Sequence, residues 1–282
     1  MNAPHACPVS RREFLKCAAA GAMLTGLGWP ALRAAQATKE TPIGLQLYSV
    51  RNECEISLPS VLEAVGKMGF NGVEFAGYYG RKAPELRKLL DDNGLVCCGT
   101  HTPYESVSAK NLAATIEFNR VIGNKFLIVP YMEAKSRQGW LDRAKEFNEL
   151  ADKVKAEGMS TGYHAHGGDF KKYDGETAWD LFFGNTKPEV IMQLDTSNCM
   201  EGGADPVAVL KKYPGRAKTI HIKEFGGAKD AVIGGGVIKW PEIFALCEAG
   251  GTEWYIIEHE RGGPDTIGDV KRCLEAVHKM GR

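Results

Sequence analysis

Several absences in this 282-residue chain each close off a class of function. Charge of one sign is missing. The 35 basic and 35 acidic residues cancel, and no Lys/Arg block or basic stripe interrupts the pattern. Nucleic acid and anionic membranes are held by clustered cations, so both are poor partners. No apolar run is long enough for a stable membrane span. No GxGxxG follows the first strand-like segment, which argues against a dinucleotide fold. Beyond residue 37 the cysteines (Cys54, Cys97, Cys98, Cys199, Cys247 and Cys273) show no CxxC spacing. A thiolate zinc site is thereby excluded, and no disulfide can be assigned from spacing.

At the amino end, Ser10-Arg11-Arg12-Glu13-Phe14-Leu15-Lys16 precedes an apolar, small-residue segment from Cys17 to Trp29 and then Ala35-Gln36-Ala37. A positive region, a short apolar region and a small-x-small site resemble a twin-arginine export signal. A buried amphipathic helix is the alternative, but Gly21, Gly26, Gly28 and Pro30 spoil it. Residues 1–37 are therefore expected to be a processed leader, with the mature protein in the periplasm.

From residue 42 one rhythm repeats: a short apolar strand, a polar or glycine-rich turn, then a helical pattern. The expected strands are Ile43–Ser49, Gly72–Phe75, Leu95–His101, Phe126–Val129, Met159–His164, Val190–Asp195, Ala217–Lys223 and Trp254–Glu258. The expected helices between and after them are Leu58–Met68, Ala83–Asn93, Lys110–Ile122, Arg137–Glu157, Thr177–Phe183, Pro206–Tyr213, Trp240–Glu248 and Pro264–Met280. Eight strand–helix units of about thirty residues, without a linker, predict a single-domain (βα)8 TIM barrel over residues 42–282. An open doubly wound sheet is the alternative topology.

Barrel enzymes build their sites at the carboxyl ends of the strands, so those ends carry the functional argument. Alternation along a strand puts His164 and His166 on one face, and likewise Gln193 with Asp195. Thr219, His221 and Lys223 share a face, as do Glu258 and Glu260. His101 ends the third strand and Glu74 lies in the second. Neighbouring strands stand about 4.8 Å apart, so inward side chains from four of them can converge on one ion. Two imidazoles and two carboxylates suit manganese, zinc, cobalt or iron(II) better than calcium or magnesium.

The segments GLQLYSVR (44–51), GFNGVEFAGYYG (69–80), GYHAH (162–166), LDTSN (194–198), HIKE (221–224) and IIEHE (256–260) resemble, in order, the sugar phosphate isomerase/epimerase group of xylose isomerase-like barrels. The resemblance implies one divalent metal on His164, Asp195, His221 and Glu258, with manganese the first choice. It implies enediolate chemistry beside a carbonyl, with Glu258 as ligand and base. Glu260 is a candidate second base, or else a rim residue paired with Arg261. His166 is the third catalytic candidate. His101, Lys223, Gln46, Glu74 and Asn198 are candidate sugar contacts, with Lys223 alternatively an ion partner of Glu224 or Glu260, and Glu74 alternatively orienting a neighbour.

Two departures stand out. His164 replaces the strand-five glutamate of the ketose 3-epimerases, which removes one of two opposed carboxylate bases. Asn198 stands where related sequences often carry His. The three-metal apurinic endonucleases of the superfamily need more histidines than the 7 present. The implied function is a metal-dependent isomerase or epimerase acting on a non-phosphorylated sugar or keto-sugar, since export separates the protein from phosphorylated sugars. A lyase or hydrolase cleaving a keto-glycoside by elimination is the alternative, and a non-catalytic sugar-binding protein the third. A homo-oligomer is left open.

Overall fold

The computed structural model describes residues 40–261, 263 and 265–282. The expected leader, residues 1–37, lies outside the described residues. Glu40–Arg282 form one compact unit.

Eight parallel strands make the sheet: β1 (Ile43–Gln46), β2 (Gly72–Phe75), β3 (Val96–His101), β4 (Phe126–Val129), β5 (Ser160–His164), β6 (Ile191–Gln193), β7 (Thr219–Ile222) and β8 (Trp254–Ile257). Their order is β6-β5-β4-β3-β2-β1-β8-β7. Between β6 and β7 the barrel is completed by an isolated parallel bridge from Asp195 to His221 and by the His221 amide donating to the Leu194 carbonyl at 2.9 Å. The expected TIM barrel is the observed fold, with its seam at two of the predicted ligand positions.

Around the strands lie α1 (Arg51–Met68), α2 (Ala83–Asp92), α3 (Leu112–Ile122), α4 (Arg137–Lys155), α5 (Ala178–Phe183), α6 (Thr196–Glu201), α7 (Pro206–Lys212), α8 (Trp240–Gly250) and α9 (Thr266–Lys279). Helix α1 is two segments joined at Ser57, whose φ of −158° and ψ of 86° leave the helical region just before Pro59. The expected start at Leu58 is where the second segment begins. Helices α1 and α3 end at Gly69 and Gly123 in left-handed conformation, which glycine adopts without a Cβ clash.

Two strands are shorter than expected for a local reason. β1 stops at Gln46 because its side-chain oxygen accepts from the Tyr48 amide at 3.1 Å and starts a 3-10 turn, Leu47–Val50. β6 stops at Gln193 because Asp195 caps α6, accepting from the Asn198 amide at 2.7 Å. Helix α6 and a small hairpin (Lys172–Tyr173 with Glu176–Thr177) are elements the sequence pattern did not signal.

Strand alternation fills the interior in layers. Toward the strand starts, Phe126, Ile128 and Ile191 form a separate apolar cluster with Trp254 packed against it. Fully burying each such side chain contributes about 1.5–3 kcal/mol. Two or four residues further on, the same faces carry Gln193, Asp195 and Glu258. Gly99 makes room for one buried acid: a Cβ there would stand 2.4 Å from Oε1 of Glu74. All six cysteines among the described residues are free and buried.

Candidate metal centre

The ends of the last four strands deliver the predicted ligands to one place. His164 closes β5, Asp195 caps α6 just past β6, His221 lies in β7 and Glu258 follows β8. Ligand atoms of these four residues all lie within 4.8 Å of one another, and all four side chains are buried. His221 Nδ1 is 2.7 Å from Glu258 Oε2 and 3.8 Å from Asp195 Oδ2.

A second layer of side chains orients these groups. Glu74 Oε2 lies 2.6 Å from His221 Nε2, across 147 residues of sequence. Gln193 Nε2 donates to Glu74 Oε1 at 2.8 Å and to Thr219 Oγ1 at 3.1 Å, which turns its oxygen toward His164 Nδ1 and His101 Nε2, each at 3.0 Å. That oxygen only accepts, so both imidazoles present an N–H to it. Nε2 of His164 then carries the free lone pair. Glu74 likewise fixes His221 through Nε2 and leaves Nδ1 toward the centre. Such outer partners for ligating imidazoles are the rule in metal sites.

Asp195 supplies a direct test of fit. Its Oδ1 accepts from the Asn198 amide, but Oδ2 is buried without a hydrogen-bond partner among the described residues. An orphaned buried carboxylate oxygen is costly unless a cation meets it. With two imidazole nitrogens, two carboxylates and no thiolate, the donor set fits a divalent transition metal.

Electrostatics divide the roles. Burial pushes the Asp195 carboxyl up to about 7. Burial would also raise Glu258, but the His221 hydrogen bond and the charges of His221 and Lys223 hold it well below the usual carboxylate range. His221 is opposed by burial yet raised to about 10, because Glu74 and Glu258 flank its ring. Burial lowers His164, His101 and His166 below the ordinary imidazole value. For Lys223, burial is outweighed by Asp195, Glu258 and Glu260, which raise it.

The centre opens into a cavity of about 610 Å3 lined by Tyr48, Tyr78, His101, Tyr131, His166, Asn198, Glu258 and Glu260 among others, with no Arg or Lys in the lining among the described residues. His166 is not in the four-residue ligand group. Its ring stands edge-on to Tyr131, with centroids 6.2 Å apart, and its Nδ1 has no partner. Asn198 donates through Nδ2 to the Ala165 carbonyl at 2.8 Å.

Several expectations are corrected. Gln46, placed at the sugar by sequence reading, is fully buried beneath the ligands and does not line the cavity, while Glu74, also buried there, takes its alternative role of orienting a neighbour, His221. Gln46 Nε2 donates to Glu74 Oε2 at 2.7 Å, so the pair steadies His221. Of the two ion partners weighed for Lys223, Glu260 is the one it meets and Glu224 is not, and Glu258 Oε1 is a further partner at 3.1 Å. Glu224 turns outward and accepts from the amides of Phe225, Gly234 and Ile238 and from Trp240 Nε1. Glu260 pairs with Lys223 and not with Arg261, whose Nη1 donates to the Gly226 carbonyl at 2.6 Å. Sequence reading also missed Gln193, although its parity with Asp195 was the available signal. Tyr131, in an aperiodic loop, gave none.

Comparison with known proteins agrees with this geometry. The profile described as xylose isomerase-like TIM barrel matches residues 62–277. An inosose dehydratase of Clostridium beijerinckii is 26% identical over 246 residues, 71% of this chain and 82% of that protein. One from Lacticaseibacillus casei is 24% identical, over 73% of this chain and 83% of its own. Among solved structures, a sugar phosphate isomerase/epimerase from Parabacteroides distasonis superposes with a TM-score of 0.75 at 27% identity, covering 85% of this chain and 98% of that one. Fold, profile match and strand-end chemistry agree: the chain belongs to the xylose isomerase-like TIM barrel family.

Proposed function

We propose that the protein is a divalent-metal-dependent enzyme that removes a proton beside the carbonyl of a keto-sugar or keto-polyol, and that the resulting enediolate expels an oxygen substituent from the next carbon. The observation that carries this reading is the grouping of acid–base residues on one side of the cavity. Glu258 and Glu260 follow the same strand, and Lys223 bonds to both. The opposite position on β5, where a second carboxylate base would stand, holds His164. One-sided carboxylates favour elimination over inversion between two opposed glutamates.

When held by His164, Asp195, His221 and Glu258, a divalent cation, manganese as first choice, supplies Lewis-acid polarisation of the carbonyl oxygen. Glu258, bonded to Lys223, takes the proton. Glu260 is raised by burial and bonded to Lys223, so this pair returns a proton to the departing oxygen. Tyr48, Tyr78 and Tyr131 offer ring faces to the substrate's C–H surface. Among the described residues the cavity lining holds no Arg or Lys, and Lys223 beside it is already paired with Glu258 and Glu260, which favours a neutral substrate over a phosphorylated one. The leader reading of residues 1–37 belongs to the same proposal and places the enzyme in the periplasm.

Isomerisation or epimerisation is the second reading. It is favoured by His166, which burial keeps neutral on the β5 side of the cavity, where a second base would stand. Incubating the Mn-loaded enzyme with inosose and a panel of keto-sugars in D2O separates the readings. Elimination gives an absorbing enone, whereas isomerisation gives a deuterated isomer without loss of the substituent. Failure of every compound either to lose or to exchange its α-hydrogen would refute both.

A further inference from the structure

Beside the cavity above the metal centre lies a second one of about 350 Å3. Asn198 and Glu260 line both, so the two lobes are adjacent there. Each volume lies within the ordinary range for a small-ligand pocket of about 300–1,000 Å3. The second lobe differs in chemistry from the first. It carries the cations Lys223 and Arg261, the carboxylates Glu201 and Glu260, and the ring of Phe225. Cations and anions are equal in number, so the lobe favours neither an anionic nor a cationic ligand. It offers strong donors and strong acceptors beside one apolar ring face. That combination suits a polyhydroxylated ring, whose C–H face packs on the aromatic while its hydroxyls both donate and accept.

Local structure supports the shape of this lobe. Glu224 pins the start and end of the glycine-rich segment after β7 through the Phe225, Gly234 and Ile238 amides, which positions Phe225. Arg261 ties that segment to the one after β8 through the Gly226 carbonyl. Of the five N–H donors of its guanidinium, this bond uses one.

We propose that this lobe binds a second sugar ring, so that the substrate is a two-ring glycoside. The reacting ring occupies the metal lobe, and the bridging oxygen lies at the junction marked by Glu260 and Lys223. The inference rests on the proposed function in one respect, that a sugar occupies the first lobe. The elimination then balances as follows. Glu258 takes the hydrogen beside the ketone, and the C–H electrons form the new C=C bond. The C–O bond to the bridging oxygen breaks with its pair on oxygen, and that oxygen takes a proton from the Lys223–Glu260 pair. An unsaturated keto ring and a free sugar leave, and the proton on Glu258 returns to the pair.

The test is a binding measurement that needs no turnover. Calorimetric titration of the Mn-loaded protein compares glucose with maltose, cellobiose and trehalose. At least one disaccharide is expected to bind about tenfold more tightly than glucose, equivalent to about 1.4 kcal/mol. Phe225→Ala, Arg261→Gln and Glu201→Ala should each erode that gain and leave glucose binding unchanged. Glu201 is exposed at the end of α6, so its variant keeps the test valid if the other two fold poorly. The inference is overturned if no disaccharide exceeds glucose, including the case in which neither binds, or if the gain survives in every folded variant. Disaccharide binding without turnover of any keto-glycoside would instead sink the proposed chemistry and leave the second-ring lobe standing.

Discussion

Two clusters of histidine and acid flank the end of β8, one on each face. On the inner face, His221 is held by Glu74 at 2.6 Å and Glu258 at 2.7 Å. On the outer face, His259 lies against α9 with Nε2 3.9 Å from Asp269 and Nδ1 3.7 Å from the Cys273 sulfur. Both are buried and both read as catalytic vocabulary. They differ in convergence. The inner acids and imidazoles aim donor atoms at one point, whereas the outer ring places its two partners on opposite edges, where one ion cannot meet both. Among the described residues His259 Nε2 and Asp269 Oδ2 have no hydrogen-bond partners, and the His259 amide is tied to Ser49 Oγ at 3.0 Å. Residue type alone makes no site. The outer cluster is packing that steadies the strand end bearing Glu258 and Glu260.

The largest effect should come from the inner ring. His164→Ala, Asp195→Asn and Glu258→Gln should each lower metal affinity by more than about 100-fold, beyond the loss typical of an outer partner. The Asp195→Asn/Glu258→Gln double variant should add much less than the sum of its parts, because the two act on one ion. Metal titration followed by elemental analysis checks this, and mild additive losses would erase the contrast between the clusters. His166→Ala should keep its metal and lose activity.

Next comes the layer beneath. Glu74→Gln replaces an anionic acceptor at His221 Nε2 with a neutral amide. Metal affinity should fall about 10- to 100-fold with the fold intact. Retention of full affinity would show that the inner ring needs no support and is less unlike the outer one than its distances imply.

The outer cluster should answer only in stability. Cys273→Ser buries a hydroxyl in place of a thiol, too short to reach His259 Nδ1 as the sulfur does, and should cost about 1–3 kcal/mol, with metal content unchanged. Denaturant unfolding beside elemental analysis measures both, and metal loss in this variant would tie the outer cluster to the site.

The smallest effect separates burial from convergence. Asp169, like Asp195, is pushed up to about 7 by burial, but both its oxygens are bonded, to Tyr163 Oη at 2.8 Å and the His166 amide at 2.7 Å. Its folded value exceeds its unfolded value of about 3.9. The stability it contributes is therefore complete below about pH 4 and is lost as pH rises through about 7. Melting temperature should decline from pH 5 to pH 8 less steeply in Asp169→Asn than in the parent, at saturating metal. Equal slopes would remove Asp169 as the cause.

Sequence by itself determined the barrel and the identity of the converging residues. Eight strand runs separated by helical patterns leave little topological choice, and the two-residue period of a strand fixes which side chains point inward. His164, Asp195, His221 and Glu258 follow from that parity and from the resemblance carried by the strand-end motifs. Only the tertiary structure decided the neighbours across strands. Glu74 could be placed in β2 from sequence, but not beneath His221, because barrel stagger and the irregular pairing between Val73 and Glu74 set that distance. The choices of Lys223 over Arg261 for Glu260, and of loop amides over Lys223 for Glu224, were also tertiary. Sequence spacing orders residues along a strand, whereas hydrogen bonds of under 3 Å between residues more than a hundred positions apart depend on how the whole barrel closes.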